Sequence, residues 1–338
     1  ALVAPSSNAN AAALSTQPVV TIKDVSGNVV TTGAQSSQTV TLSSTNATIG
    51  GTVSMSASAG VADFAGLGVK LTALIGARNL TASISSPSAI TASTNVTLTF
   101  GAATQLAVTT QAAGFVNRTD FTTQPAVTIQ DVSGNTVTTA TDSVSVAISS
   151  GALTGTTSAT AVAGVATFSG LGKTGVIGSK TLTFSTGSLT SATQTFTLTY
   201  GAATQVALTL PASTASGAAL SAQPIATIQD ADGNTVTGGS QATQTVTLTS
   251  SDSTISGTTS MAAVAGVANF TGKHEAVMPV DVMTSAIHSA IGQASIRVGS
   301  EIGHLGLGEL WTGHVGQRLA IAHAVTHLDQ HFRHTACD

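Results

Sequence analysis

The residues best suited to chemistry sit near one end of the chain. His323, His327, His331 and His334 recur at three- and four-residue intervals. On a helix that spacing places them on one side, where i, i+4 imidazoles such as His327 and His331 can hold one Zn²⁺ or Ni²⁺ between them. The other side carries Ile321, Val325, Leu328 and Phe332, the single apolar stripe of an amphipathic helix that begins near Leu319. Histidines on a solvated helix face also serve as plain polar surface. The pattern therefore admits a real metal site, an adventitious one, or none.

A second candidate is a recurring aspartate. Asp24, Asp131 and Asp230 each open an Asp-x-x-Gly-Asn stretch, completed by Gly27 and Asn28, Gly134 and Asn135, and Gly233 and Asn234. A turn carboxylate with carbonyl oxygens beside it can bind Ca²⁺ weakly, most readily where Asp230 and Asp232 stand together. The competing reading is structural: the Asp accepts hydrogen bonds from its own backbone N–H groups, while the Gly takes a positive φ. One carboxylate per turn is too few for a tight site, which favours the structural turn. Other chemistries find no residues. All eight His follow Lys273, so residues 1–272 cannot assemble a Ser-His-Asp hydrolase. An intramolecular Lys–Asn isopeptide bond would need a lysine at a repeating core position, yet Lys23 is answered by Gln130 and Gln229. No catalytic residue and no required cofactor are expected.

These aspartates lie inside a longer phrase that the chain states three times. Gln17-Pro18 leads through Ile22 to Asp24, Gln124-Pro125 through Ile129 to Asp131, and Gln223-Pro224 through Ile228 to Asp230. With the proline as ruler the spacings are 125 − 18 = 107 and 224 − 125 = 99 residues, the size of a small domain rather than of a solenoid unit. Within the second copy, Gln105–Thr110, Ala126–Gln130, Thr136–Thr138, Ser143–Ser149, Gly164–Phe168, Lys180–Ser185 and Thr195–Tyr200 alternate apolar with small or polar residues between turn signals. Phe196, Leu198 and Tyr200 all read as inward-facing. About seven short strands per repeat predict an all-β chain of tandem sandwiches. The expected modules are 1–101, 102–201 and 202–272, the third lacking its last strands.

Residues 273–338 form a tail of different composition, with every His, Trp311, Cys337 and four of the ten basic residues. The tail is expected to be partly helical. Three readings account for the change at Lys273: a frameshift or artificial junction, an appended domain, or a tail in which Gln293–Val298 supplies a substitute strand.

Composition narrows the class further. The chain is 42% hydrophobic but only 7% charged and 3% aromatic, so its cores rest on Val, Ile, Leu, Ala and a few Phe. A net charge of −4 offers no basic field for nucleic acid, and no run of about 18 apolar residues calls for membrane insertion. A surface of Thr, Ser, Asn and Gln with a single cysteine suits a bacterial extracellular protein better than an animal one. The absence of an initiating Met and of a signal peptide is expected of a mature chain or a fragment.

The Asp-x-x-Gly-Asn turns are followed after some thirty residues by Gly-Val-Ala-x-Phe, at Gly60/Val61/Phe64, Gly164/Val165/Phe168 and Gly266/Val267/Phe270. Together they resemble the bacterial immunoglobulin-like domains of invasin- and intimin-type (Big-like) adhesins and related surface proteins over residues 1–272. The resemblance implies a non-catalytic stalk at the bacterial cell surface, spacing or presenting another module. Implied partners are the other modules of the same protein and host or cell-surface glycans or proteins. An accessory spacer of a polysaccharide-binding or polysaccharide-degrading enzyme is the alternative. The string His327-Leu328-Asp329-Gln330-His331-Phe332-Arg333 is similar to one helix of DinB-like four-helix metalloproteins, which implies a metal-binding function confined to the tail.

Overall fold

The computed structural model describes residues 1–85, 89–210, 220, 222–249, 254–270, 275–277, 284–287 and 294–296. Among these the chain is all-β, its only helical pieces being the single 3₁₀ turns Ala34–Ser37 and Ser240–Thr243. Each repeat opposes a three-stranded sheet to a larger one. In the second repeat the small sheet has the order Gln105–Thr110, Ala126–Gln130, Val165–Thr167. The larger runs Ser158–Thr160, Ser143–Ile148, Gly178–Ser185, Ala192–Leu198, and a two-stranded ribbon joins Ala152–Thr154 to Gly172–Thr174. The first repeat has the same plan, extended by Ser7–Ala9 running parallel to Thr97–Thr99.

Alternation sets which face each strand buries. In Ser143–Ile148, Val144 and Val146 point inward while Ser143, Ser145 and Ala147 face solvent. Leu182 and Phe184 are fully buried beside them on the neighbouring strand, and Val127 and Ile129 are fully buried on the smaller sheet. Phe168 and Phe184 meet at 5.4 Å between ring centroids. Burying each such side chain contributes about 1.5–3 kcal/mol, so this core can hold the sandwich without a disulfide. The solvent faces are hydroxyl ladders: Ser143 with Ser158, Ser145 with Ser185 and Thr181 with Thr195 lie within hydrogen-bond reach. Separate cores occupy the first repeat, around Val40, Phe64, Leu80 and Val96, and the third, around Val246, Ala268 and Phe270.

The two sequence signatures are stitched to each other. The carbonyls of Pro18, Pro125 and Pro224 accept the N–H groups of Phe64, Phe168 and Phe270 at 3.0, 3.1 and 3.0 Å. Proline costs the strand nothing here, because it is used as an acceptor only. The preceding glutamine holds the next connection: Gln124 Oε1 accepts from Leu171 N at 2.9 Å, and its Nε2 donates to Phe121 O at 2.8 Å. Gly-Val-Ala-x-Phe begins in a tight hairpin whose two central residues both have positive φ, Ala163 at 50° and Gly164 at 78°. That geometry matches the right-handed twist of the strands it joins. A Cβ on Gly164 would sit 2.5 Å from Val137 O, so the position is closed to any other residue.

One expectation, the strand count of the second repeat, is revised. The second repeat contains nine strands rather than seven: Ala152–Thr154, Ser158–Thr160 and Gly172–Thr174 are added as three-residue strands, while Thr136–Thr138 is not a strand and keeps only a single bridge from Thr136 to Gln130. Three residues are too few to show an alternation, and Leu153 and Lys173 each stand alone between small or hydroxyl-bearing neighbours. In the third repeat the sequence pattern ends at Gly272, but strand pairing continues past it. Glu275–Val277 pairs with Thr254–Ser256, Thr284–Ile287 pairs with Thr245–Thr249, and Ala294–Ile296 adds to Thr284–Ile287. These occupy the places that Gly172–Thr174, Gly178–Ser185 and Ala192–Leu198 hold in the second repeat. Backbone pairing does not depend on side-chain identity, so a stretch of foreign composition can complete the sheets.

Candidate functional site

The Asp-x-x-Gly-Asn turns share one internal geometry. In the second repeat Asp131 N donates to Asn135 O at 2.9 Å and Gly134 N to Asp131 O at 3.0 Å. Asp131 Oδ1 accepts the N–H groups of Ser133 and Asn135 at 2.9 and 3.0 Å, and Gly134 takes a φ of +84°. Asp24 and Asp230 hold their turns in the same way. The Asp is there because a carboxylate can accept from several N–H groups at once, and the Gly because the turn needs a positive φ.

What separates the turns is what lies on their outer side. Asp131 is buried at 1% exposure against the first repeat. Its Oδ2 accepts from Asn10 Nδ2 at 2.8 Å and from Gly101 N at 2.9 Å. Asn10 Nδ2 also donates to Ser133 Oγ at 2.9 Å, while its Oδ1 accepts from Ala73 N at 2.9 Å. Asn135 completes the seal: its Oδ1 accepts from Ile75 N at 2.9 Å and its Nδ2 donates to Ala73 O at 3.1 Å. The joint therefore clips the base of the first repeat onto one turn of the second.

The second joint repeats the first atom for atom and adds charge. Asp230 Oδ2 accepts from Asn117 Nδ2 at 2.8 Å and Gly201 N at 2.9 Å. Asn234 Oδ1 accepts from Ile177 N at 2.9 Å and its Nδ2 donates to Gly175 O at 3.0 Å. Where the first joint has Ser133 and Ala11, the second has Asp232 and Arg118. The Arg118 guanidinium pairs with Asp232 in two bonds of 2.8 Å, the geometry in which arginine is most selective for carboxylate. Ala11 and Arg118 both adopt a φ of 61°, a left-handed conformation that turns the preceding asparagine into the joint.

The joints also have an apolar component. Phe100 packs against the core of the second repeat, and Tyr200 against that of the third. Tyr200 was expected to face inward in its own repeat; it caps the next one instead, since the chain crosses the joint at Gly201. A Cβ on Gly101 would sit 2.2 Å from Asn10 O, and one on Gly201 2.6 Å from Asn117 O. Only glycine lets the linker pass that close.

Electrostatics follows from this packing. Burial pushes the Asp131 carboxyl up, but the donors Asn135, Gly101 and Asn10 outweigh it and hold it below the usual carboxylate value. Asp230 behaves alike, with Gly201, Asn234 and Asn117 opposing burial. Asp232 is lowered to about 2, chiefly by the hydrogen bond from Arg118. The groups facing these carboxylates present the positive ends of N–H bonds, which is where a Ca²⁺ ion would have to sit. Among the described residues no cluster of three or more His, Cys, Asp or Glu is placed to hold a metal. His323, His327, His331 and His334, and the helix expected from their spacing, lie outside the described residues.

Asn10, Asn117, Arg118, Gly101, Gly201 and Phe100 escaped the sequence reading. A signal was available. The spacing 117 − 10 = 107 equals that of Pro18 and Pro125, and an aromatic followed by Gly-Ala-Ala-Thr-Gln recurs at Phe100 and Tyr200.

No family model matches the chain, and no curated protein matches it, so the DinB-like resemblance gains no support. Solved structures that resemble it in part include a beta-glycosidase from Bacteroides vulgatus at 13% identity and TM-score 0.26. That match covers 59% of this chain and only 24% of the glycosidase. Invasin, a bacterial integrin-binding protein, matches at 15% identity and TM-score 0.25, covering 88% of this chain and 60% of its own. The D0-D1 domain of intimin matches at 14% identity and TM-score 0.22, covering 59% of this chain and 97% of its own. Similarities at these scores carry no argument about function. Among the described residues no helix is long and apolar enough to cross a membrane.

Proposed function

We propose that this chain is a non-catalytic stalk segment of a bacterial extracellular or cell-surface protein. Its immunoglobulin-like modules, taken as 1–101, 102–201 and 202–272, space or present a binding module elsewhere. The observation that carries the reading is the pair of joints. Each buries a carboxylate between successive repeats and satisfies it with an asparagine amide and a glycine N–H from the repeat before. Interfaces between domains of one chain are otherwise polar and permissive of motion. Donors and acceptors matched this closely favour one relative orientation, which is what a spacer needs and a catalyst does not. The hydroxyl-covered, almost uncharged faces supply solubility without a field that would attract nucleic acid. Small-angle scattering on the whole chain tests the reading: an extended rod is expected, becoming a flexible string in Asp131→Ala with Asp230→Ala. A compact particle, or a rod unchanged by both substitutions, overturns it.

A further inference from the structure

The first repeat carries the same turn, and it faces solvent. Asp24 Oδ1 accepts from Ser26 N and Asn28 N at 2.9 Å each, and Asn28 Nδ2 donates to Asp24 Oδ2 at 3.2 Å. Gly27 takes a φ of +87°, matching Gly134 and Gly233. Yet Asp24 and Asn28 are exposed, where Asp131, Asn135, Asp230 and Asn234 are buried. Val25 stands out at 105% exposure, against 55% for Val132. Asn28 Nδ2 makes only its bond to Asp24 within its turn, whereas Asn135 and Asn234 use the same amide on a carbonyl of the preceding repeat as well, Ala73 O and Gly175 O.

We propose that the Asp24 turn is a docking socket for the base of another repeat of this same type, and that it selects among such bases. The proposal deepens the stalk reading and rests on it. The partner's chemistry follows from the two joints. Asp24 Oδ2 would accept an asparagine Nδ2 and a glycine N–H, as Asp131 and Asp230 do. Asn28 would take one backbone N–H and one carbonyl from a bend equivalent to Ala73–Ile75. Selectivity comes from position 26. In the occupied sockets Ser133 bonds Asn10, which Ala11 follows, and Asp232 bonds both Asn117 and Arg118. The first repeat has Ser26, so it fits a base of the Asn-Ala kind. An Asn-Arg base would bring a guanidinium to a serine and leave it without its carboxylate.

The test uses two extended forms of the whole chain, with residues 1–106 or residues 102–206 placed directly before Ala1. Leu106 or Val206 then falls opposite Ile22, as they fall opposite Ile129 and Ile228 in the native chain. The readout is amide exchange at the inserted copy's Gly101 or Gly201. Inserted Gly101 is expected to exchange about tenfold more slowly than in the same chain with Asp24→Ala, the worth of one hydrogen bond to a carboxylate. Asn10→Ala in the inserted copy should release it equally while leaving the first repeat intact. Inserted Gly201 should be less protected than inserted Gly101, and Ser26→Asp should restore it. Exchange indifferent to both Asp24→Ala and the inserted Asn10→Ala overturns the socket. Equal protection of the two bases overturns the selectivity. If native Gly101 responds to Asp131→Ala while the inserted glycine ignores Asp24→Ala, only this proposal falls. If native Gly101 is indifferent as well, the stalk reading falls with it.

Discussion

Replacing Asp131 with alanine isolates what the joint contributes, because one carboxylate serves two purposes. Oδ1 mainly holds its own turn, through Ser133 N and Asn135 N, whereas Oδ2 reaches Asn10 Nδ2 and Gly101 N. Hydrogen bonds to a charged group contribute about 1.5–3 kcal/mol each, so losing the two on Oδ2 should weaken the joint by about 3 kcal/mol. Donors left buried without acceptors add to the loss, since Asn10 is 2% exposed. The assay is native-state amide exchange at Gly101, with paired spin labels across the joint to follow the spread of orientations. A cycle with Asn10→Ala should return a coupling of about 1–2 kcal/mol, as expected of groups in direct contact. Asp24→Ala removes the same turn contacts from the first repeat and is the internal control. It should shift the first repeat's unfolding without touching either joint. If Asp131→Ala leaves Gly101 exchange unchanged, or the two variants lose stability alike, the carboxylate serves only its turn and the joint must be held otherwise.

Three further outcomes follow from the same contacts. Gly201→Ala forces a methyl to within 2.6 Å of Asn117 O and should open the second joint, visible as a broadened label distance there and an unchanged one at the first. The joint carboxylates have folded values below their unfolded ones, so their contribution is complete above about pH 4 and is lost as pH falls through the folded values. The second joint, with Asp232 at about 2, should therefore hold at pH 5 and loosen toward pH 2; loosening above pH 5 would contradict this. Lys173 is fully buried where the first repeat has Leu71, and burial followed by the Lys180 charge lowers its pKa while Asp232 opposes them. Lys173→Leu should stabilise the second repeat by about 1–3 kcal/mol in urea unfolding, because the ammonium is the costlier occupant.

The sequence made the sandwich legible wherever side chains alternate strongly. Val144, Val146, Leu182 and Phe184 announced their strands, while Ala152–Thr154 and Gly172–Thr174 did not, being three residues long with a single large side chain each, Leu153 and Lys173. The Asp-x-x-Gly-Asn turn was readable as a turn from its own chemistry. Its role as a socket was not, because that role belongs to Asn10 and Asn117, more than a hundred residues away, each looking in isolation like an ordinary loop residue. Arg118 was equally opaque, since a lone basic residue names no partner until Asp232 is placed beside it. Past Gly272 alternation failed for the opposite reason: strands there are defined by what they pair with rather than by what they contain.

The parallel contact between Ser7–Ala9 and Thr97–Thr99 joins the entry of the first repeat to its exit. Tension on the chain would pull these segments in opposite directions along their length. Thr97 N to Ser6 O and Asn10 N to Thr99 O, both 2.9 Å, would then bear the load together rather than one after another. In the second repeat Asn117 N to Thr199 O and Thr199 N to Phe115 O are placed to do the same. Each of these clasps ends on the asparagine that enters the next joint. A pull would therefore pass from clasp to joint to clasp, leaving the cores of the sandwiches outside its path.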